Sequence, residues 1–212
     1  YEPCVVKQEE TADPNMATSD KMIGSSAAWA AGYTGAGSRI AIIDTGADVD
    51  HPSLDPDALK YALQGSNATI MTEADLTDEV LNQLNAYTRK AGLTAADFYV
   101  NEKIPFGFNY VDADTDITHD NDTQGDHGSH VTGIAAGNRF VKDEAGNYVA
   151  ALDSVMTQGV APDAQILTMK VFGKGGGAYD SDYMVAIEDA MVLGADAANL
   201  SLGGSFPGYS EY

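Results

Sequence analysis

Three mostly apolar segments constrain the fold of this chain most strongly. They span residues 39–43, 165–172 and 197–202, and glycines flank each of them. Such runs are typical of strands that are buried on both faces of a parallel sheet. A helical pattern separates each strand from the next, over 127–136 and 180–194. This order predicts an α/β fold in which helices cover both faces of a parallel sheet.

The charge balance of the chain excludes two classes of partner. Among 212 residues, 11 Lys and Arg face 32 Asp and Glu, which gives a net charge of −21. This balance argues against binding nucleic acid or anionic lipid through a basic face. No apolar run reaches the ~18 residues of a membrane helix, and no signal segment opens the chain. We therefore expect a mature soluble product without a membrane span. Cys4 is the only cysteine, so no disulfide can form within the chain.

Asp44 and His127 occupy the positions that most favour chemistry. Asp44 follows a buried strand, and open α/β sheets bind ligands beyond the carboxyl ends of their strands. His127 begins a helical run and precedes Gly128, a pattern that can place an imidazole in a cleft. A carboxylate that orients an imidazole, which takes the proton of a serine hydroxyl, is a common solution for amide hydrolysis. A lone aspartate after a strand more often caps a turn than takes part in catalysis. The presence of His127 makes catalysis the preferred interpretation of Asp44.

Metal binding is the alternative chemistry for these side chains. His127 and His130 stand one helical turn apart, and with an aspartate they could bind zinc, although the usual accompanying glutamate is absent. Alternate aspartates over 112–122 resemble half of a calcium loop. Ile117 stands where such a loop needs glycine, and Thr123 stands where it needs the closing glutamate. We predict a solvated acidic loop and assign no metal ligands.

Three segments, in this order, resemble the subtilisin-like serine proteases, or subtilases. They are Asp-Thr-Gly at 44–46, Gly-Asp-His-Gly-Ser-His-Val-Thr-Gly at 125–133 and Asn-Leu-Ser-Leu-Gly-Gly at 199–204. The resemblance implies a subtilisin-like fold, with Asp44 as the orienting carboxylate and His127 as the general base. Features around 106–137, and the long spacing between the Asp and His motifs, look most like the lactocepin and C5a-peptidase group of Gram-positive bacteria. This likeness therefore implies a bacterial enzyme that is secreted or held at the cell surface.

The same resemblance implies a substrate groove. Proteases of this class hold a protein or peptide substrate as an extra strand. Ser201, Leu202 and Gly203 would form one wall of the groove, and Gly176 and Gly177 the other. Glycine suits both walls because one backbone approaches another there. Simple tight turns remain the alternative explanation for either wall alone.

The family motif that carries the nucleophile, Gly-Thr-Ser-Met-Ala, does not occur in these residues. Ser19 precedes Asp44 and is rejected as a substitute. We therefore expect an incomplete subtilisin-like domain, with the catalytic serine on a second chain of the same precursor or on a missing C-terminal part. A non-catalytic, protease-like binding module is the alternative. The chemistry needs no cofactor. Calcium binding stays an open alternative. Ser53 stands where many subtilases carry a metal-binding aspartate, and this departure argues against the family's usual calcium site.

The length fits one domain, for which we predict three parts. Residues 1–24 form an N-terminal arm, and 25–212 form the N-terminal portion of the catalytic domain. The long separation between the Asp and His motifs predicts an inserted subdomain at about 57–103.

Local patterns complete the prediction. Residues 73–84 place apolar side chains on one face and predict a single amphipathic helix. The polar stretch 139–157 predicts irregular structure. In the run 180–194, core positions are predicted at Tyr183, Ile187, Ala190 and Met191.

Overall fold

The structure, a computed structural model, describes residues 20–120 and 122–203. Its strands are β1 (Arg39–Asp44), β2 (Phe106–Asn109), β3 (Phe140–Lys142), β4 (Tyr148–Ala150), β5 (Gln165–Lys170) and β6 (Ala197–Asn199). Its helices are α1 (Ser25–Ala30), α2 (Pro56–Ala62), α3 (Asp78–Leu81), α4 (Asn85–Arg89), α5 (Ala95–Phe98), α6 (His127–Ala136), α7 (Ala151–Ser154) and α8 (Asp180–Val192). No helix in these two ranges has the length and apolarity that a membrane crossing requires.

The main sheet has four parallel strands in the order β2-β5-β1-β6. All the carboxyl ends therefore lie along one edge. In the register of β1 and β5, Asp44 lies opposite Lys170. Since β5 and β6 flank β1, the segments that follow them leave the sheet on either side of Asp44. The predicted parallel α/β fold is confirmed.

Both faces of the sheet are covered, which explains why these strands are mostly apolar. Side chains alternate between the two faces of a strand. Ala41 and Ile43 enter one cluster, together with Phe108 and with Ala186 of α8. Ile42 enters the other cluster, which includes residues of α6. A strand between two helical layers needs apolar side chains in both directions.

The predicted single helix over 73–84 is wrong. The segment forms a 3-10 turn, Glu73–Asp75, followed by the short helix α3. Thr72 and Thr77 each cap the turn that follows, so local side-chain bonds start two short elements in place of one long one. The apolar pattern still predicts burial correctly, because Leu76, Leu81 and Leu84 all lie in the core.

The prediction of irregular structure over 139–157 is also wrong. Strands β3 and β4 pair antiparallel as a hairpin, and α7 follows directly. Asp143 closes the turn by accepting a bond from the backbone N–H of Asn147 at 2.8 Å. The ring of Tyr61 stacks on Tyr148 and meets Phe140 edge-on, which attaches the hairpin to α2.

Helix α8 turns a carboxylate into the core. Asp189 is fully buried and accepts bonds from the N–H groups of Asn85 and Ala86 at 2.7 and 2.9 Å, and from the Tyr110 hydroxyl at 2.9 Å. Burial and the Asp189 charge raise the pKa of Tyr110 well above its ordinary value. Met191, predicted as a core residue, is 68% exposed, because the buried stripe of the helix runs through Asp189.

The segment 57–103 shares the main core. Six of its buried side chains pack in the cluster that covers one face of the sheet: Met71, Leu76, Leu81, Leu84, Ala86 and Phe98. The segment is thus joined to the body by packing and by the Asp189 bonds. Its boundaries as an insertion stay a prediction. Residues 1–19 of the predicted arm, 1–24, lie outside the described residues.

Buried Lys103 gives a prediction about pH. Its Nζ donates to the carbonyls of Pro162 and Ala164 at 2.9 and 2.8 Å. Burial lowers the pKa of Lys103 to about 7, although the Asp163 charge opposes this. The unfolded lysine keeps a pKa of ~10.4, so between these values the unfolded state binds the extra proton and stability rises with pH. We expect the urea midpoint to increase from about pH 7 to about pH 10, and Lys103→Met to remove the increase.

The control for this measurement is Lys60→Met, since the Lys60 side chain is 47% exposed. That variant should keep the full pH dependence of the parent. A rise of unchanged size in Lys103→Met would contradict the assignment.

Candidate active site

Asp44 and His127 lie in direct contact. The distance between His127 Nδ1 and Asp44 Oδ1 is 2.7 Å. The carboxylate side chain is 1% exposed and the imidazole is 51% exposed. Asp44 Oδ1 also accepts from the N–H of Thr45 at 2.7 Å, which fixes the carboxylate at the end of β1. The pair therefore presents an oriented imidazole to solvent at the carboxyl edge of the sheet.

Two glycines allow this contact. A Cβ on Gly128 would lie 2.1 Å from the carbonyl oxygen of Gly46, so the first turn of α6 rests on the backbone after β1. Gly46 itself has φ of +106° and would clash with Ile117 if it carried a Cβ. The N–H of Gly128 donates to Thr45 Oγ1 at 2.8 Å. This close packing brings His127, the neighbour of Gly128, to Asp44.

The acidic segment 112–122 is not uniformly solvated, and the prediction is wrong at its end. Asp122 is 2% exposed at its side chain and forms an ion pair with Lys170, which is 1% exposed. Lys170 Nζ also donates to the carbonyl of Thr45 at 2.6 Å. In the described parts of the chain, no group of three or more His, Cys, Asp or Glu side chains could hold a metal ion.

The predicted groove residues follow β5 and β6. Gly176 belongs to a tight turn, in which its N–H donates to Gly173 at 2.8 Å, and its φ is +81°. A Cβ there would lie 2.4 Å from Thr123 Oγ1, so the turn and Thr123 already require glycine at this position. The side-chain amide of Gln124 donates to the Gly176 carbonyl. A Cβ on Gly177 would meet no described atom within 4 Å.

On the other side of β1, the chain continues through Ser201 and Gly203, which are exposed, and Leu202, which is partly buried against the core. Ser201 Oγ donates to Asn199 Oδ1 at 2.9 Å. Space is open beside Gly203 among the described atoms. The two predicted walls therefore stand on opposite sides of the strand that ends in Asp44, and their role in substrate binding stays a prediction.

A cavity of about 800 Å³ lies along α6. It is lined by His130, Ile134 and Val155 among others, and also by His51 and His119. His51 Nδ1 is engaged by Ser53 Oγ at 2.7 Å. His130, one of the two histidines of the zinc alternative, lines this cavity, whereas His127 is not among its lining residues.

Sequence reasoning missed Thr45, Lys170 and Gln124 as parts of the site. Thr45 stood inside a recognised motif, but its contact with Gly128 depends on the packing of α6. Lys170 is the one charged residue of a strand that is buried at every position, and this was a usable signal. Gln124 carried no signal, because its partner in the glycine turn is 52 positions away.

Comparison with known proteins gives the family. The subtilase family profile matches residues 35–211. The chain is 31% identical to the minor extracellular protease Vpr of Bacillus subtilis over 206 residues, which is 95% of this chain and 18% of Vpr. It is 34% identical to the PI-type proteinase of Lactococcus lactis subsp. cremoris over 198 residues, 90% of this chain and 9% of that protein.

A C5a peptidase of Streptococcus pyogenes is 29% identical over 179 residues, covering 84% of this chain and 13% of that protein. The chain thus spans less than a fifth of the length of these relatives. The relatives come from the group that the sequence motifs indicated. By the extent of the family match, this chain belongs to the subtilase family.

Proposed function

We propose that the chain supplies the aspartate and the histidine of an Asp-His-Ser serine endopeptidase. One observation carries the proposal: the 2.7 Å contact of His127 Nδ1 with a buried Asp44 oxygen, beneath a half-exposed ring. Because Nδ1 is engaged, Nε2 is the ring nitrogen available to a serine hydroxyl. This is the arrangement that acyl transfer requires of a base and its orienting group.

The roles follow from the chemistry of amide hydrolysis. Asp44 holds the proton on Nδ1, so that Nε2 can accept the serine proton as Oγ attacks the substrate carbonyl carbon. The carboxylate then stabilises the imidazolium. That imidazolium donates its proton to the leaving amine, and water hydrolyses the acyl-enzyme by the same route. No step needs a metal or an organic cofactor.

The serine is proposed to come from polypeptide outside these residues. In subtilisin the triad follows the order Asp, His, Ser along the chain. The relatives named above extend far beyond the matched region. The nucleophile therefore belongs to the remainder of a longer protease, or to a second chain of a cleaved precursor.

The substrate is proposed to be a protein or peptide bound in extended form. Gly176 and Gly177 on one side, and Ser201, Leu202 and Gly203 on the other, would contact its backbone. Vpr is named as an extracellular protease. By likeness to it, we propose that this protein also acts outside the cell, as a secreted or surface-held enzyme.

The alternative from another class is a non-catalytic binding module. It finds some support in the exposed apolar side chains beside the α6 cavity, such as Val155 at 53% exposure. Such a module would present a surface to a partner and would not react with a serine-directed reagent.

The test is reaction of the full-length protein with an organophosphate that modifies activated serines. The proposal expects one modified serine in the parent and none in His127→Ala. A zinc hydrolase would not react with the reagent and would be inhibited by a chelator. A binding module would show neither response, and either of these outcomes would reject the proposal.

A further inference from the structure

We infer that Lys170 and Asp122 form a positioning pair for the site, which holds His127 against Asp44 and sets the glycine turn of the groove. The inference rests on the proposed function. Neither side chain is assigned to the chemistry, and both are almost completely buried, at 1% and 2% exposure. Their ion pair lies where three segments of the site meet.

Lys170 reaches the first segment, which is the turn after β1. Its Nζ donates to the Thr45 carbonyl at 2.6 Å. Its Cδ would lie 3.4 Å from a Cβ on Gly46, so the lysine stem runs directly beside that glycine. Gly46 is the residue on which Gly128 rests. Lys170 therefore supports the backbone that sets the distance from α6 to the end of β1.

Asp122 belongs to the second segment, five residues before His127. Anchoring its carboxylate on Lys170 fixes the start of the loop that leads into α6. The next two residues contact the third segment. The N–H of Thr123 donates to the Lys174 carbonyl at 3.4 Å, and the Gln124 amide donates to the Gly176 carbonyl. One ion pair thus fixes both the histidine loop and the glycine turn.

Buried ion pairs are poor sources of stability, because desolvation offsets their attraction. Apolar replacement of both partners is often neutral or stabilising, whereas removal of one partner leaves an unpaired buried charge. If this pair served stability alone, two apolar residues would replace it without loss. Its value for positioning is different, because Lys170 donates to the Thr45 carbonyl and to Asp122 at the same time, and an apolar pair makes neither bond.

The test uses the full-length protease and three variants: Lys170→Met, Asp122→Leu and the double variant. Each single change should lower both stability and kcat/KM. In the double variant the thermal midpoint should return to near the parent value, while kcat/KM stays about 10²-fold lower, the scale of a 1 Å misplacement. The loss should include a raised KM, because the glycine turn also moves. Recovery of kcat/KM together with stability would overturn the inference.

Lys103→Met is the matched control, since Lys103 is an equally buried lysine whose Nζ also donates to backbone carbonyls. It should leave kcat/KM unchanged. A second readout does not need the serine: the NMR signal of the His127 Nδ1 proton, which reports its bond to Asp44. That signal should shift in the double variant and not in Lys103→Met.

The two proposals fail differently. Cleavage that persists in His127→Ala would reject the proposed function. A double variant that keeps both the parent proton signal and the parent kcat/KM would reject only the positioning role.

Discussion

Replacing Asp44 by Asn should lower kcat by about 10⁴-fold, the scale found when the orienting carboxylate of a serine-protease triad becomes an amide. The side chain keeps its shape, so an oxygen can still accept from Thr45 at the end of β1. The charge that stabilises the imidazolium is lost. The measurement is kcat and KM for a peptide substrate of the full-length enzyme. KM should change little, because a side chain that is 1% exposed offers almost no surface to a substrate.

Asp50→Asn is the control for that experiment. Asp50 lies in the same loop, six residues after Asp44, and is exposed. Removing its charge should leave kcat within about twofold of the parent, because water and salt screen exposed charges. If Asp44→Asn has the same kcat as the control, the Asp44–His127 pair has no role in the mechanism.

Replacing Gly128 by Ala should produce the second largest effect. The new methyl group would lie 2.1 Å from the Gly46 carbonyl oxygen, so α6 must withdraw from the turn after β1. His127 moves with it, and the 2.7 Å contact with Asp44 opens. We expect kcat/KM to fall about 10²-fold or more. Overpacking should also destabilise the fold by about 1–3 kcal/mol, measured by urea unfolding.

Thr45 offers a matched pair for the same contact. Thr45→Val keeps the shape and removes the oxygen that accepts from Gly128 N–H, whereas Thr45→Ser keeps that oxygen. Valine should therefore reduce both activity and stability, and serine should restore most of each. Equal behaviour of the two variants, or a fully active Gly128→Ala enzyme, would show that this packing does not set the dyad.

The sequence was informative where local pattern and tertiary role coincide. The apolar run that became β1 needed no partner to be recognised, because burial on both faces leaves an unbroken signal. The helix that begins at His127 was predicted with its observed ends, since Gly137 follows it. The contact of Asp44 with His127, across 83 positions, was expected through the family resemblance.

The sequence was less informative where the role of a residue depends on partners that are distant along the chain. Asp189 was not among the core positions predicted for 180–194, because its partner Asn85 lies 104 positions away in the sequence. Over 73–84 the apolar pattern predicted burial correctly and helix length wrongly, because two threonine caps divide the segment. The hairpin β3–β4 was missed because its two strands have only three residues each.

The central claim is that Asp44 and His127 activate a serine that lies outside the 212 residues of this chain. The most direct measurement is the rate of organophosphate modification of the full-length protein, with the modified peptide identified by mass spectrometry. The account predicts a single modified serine outside residues 1–212, formed in the parent and lost in His127→Ala. Modification at the same rate in both proteins, or no modification of the parent, would contradict it.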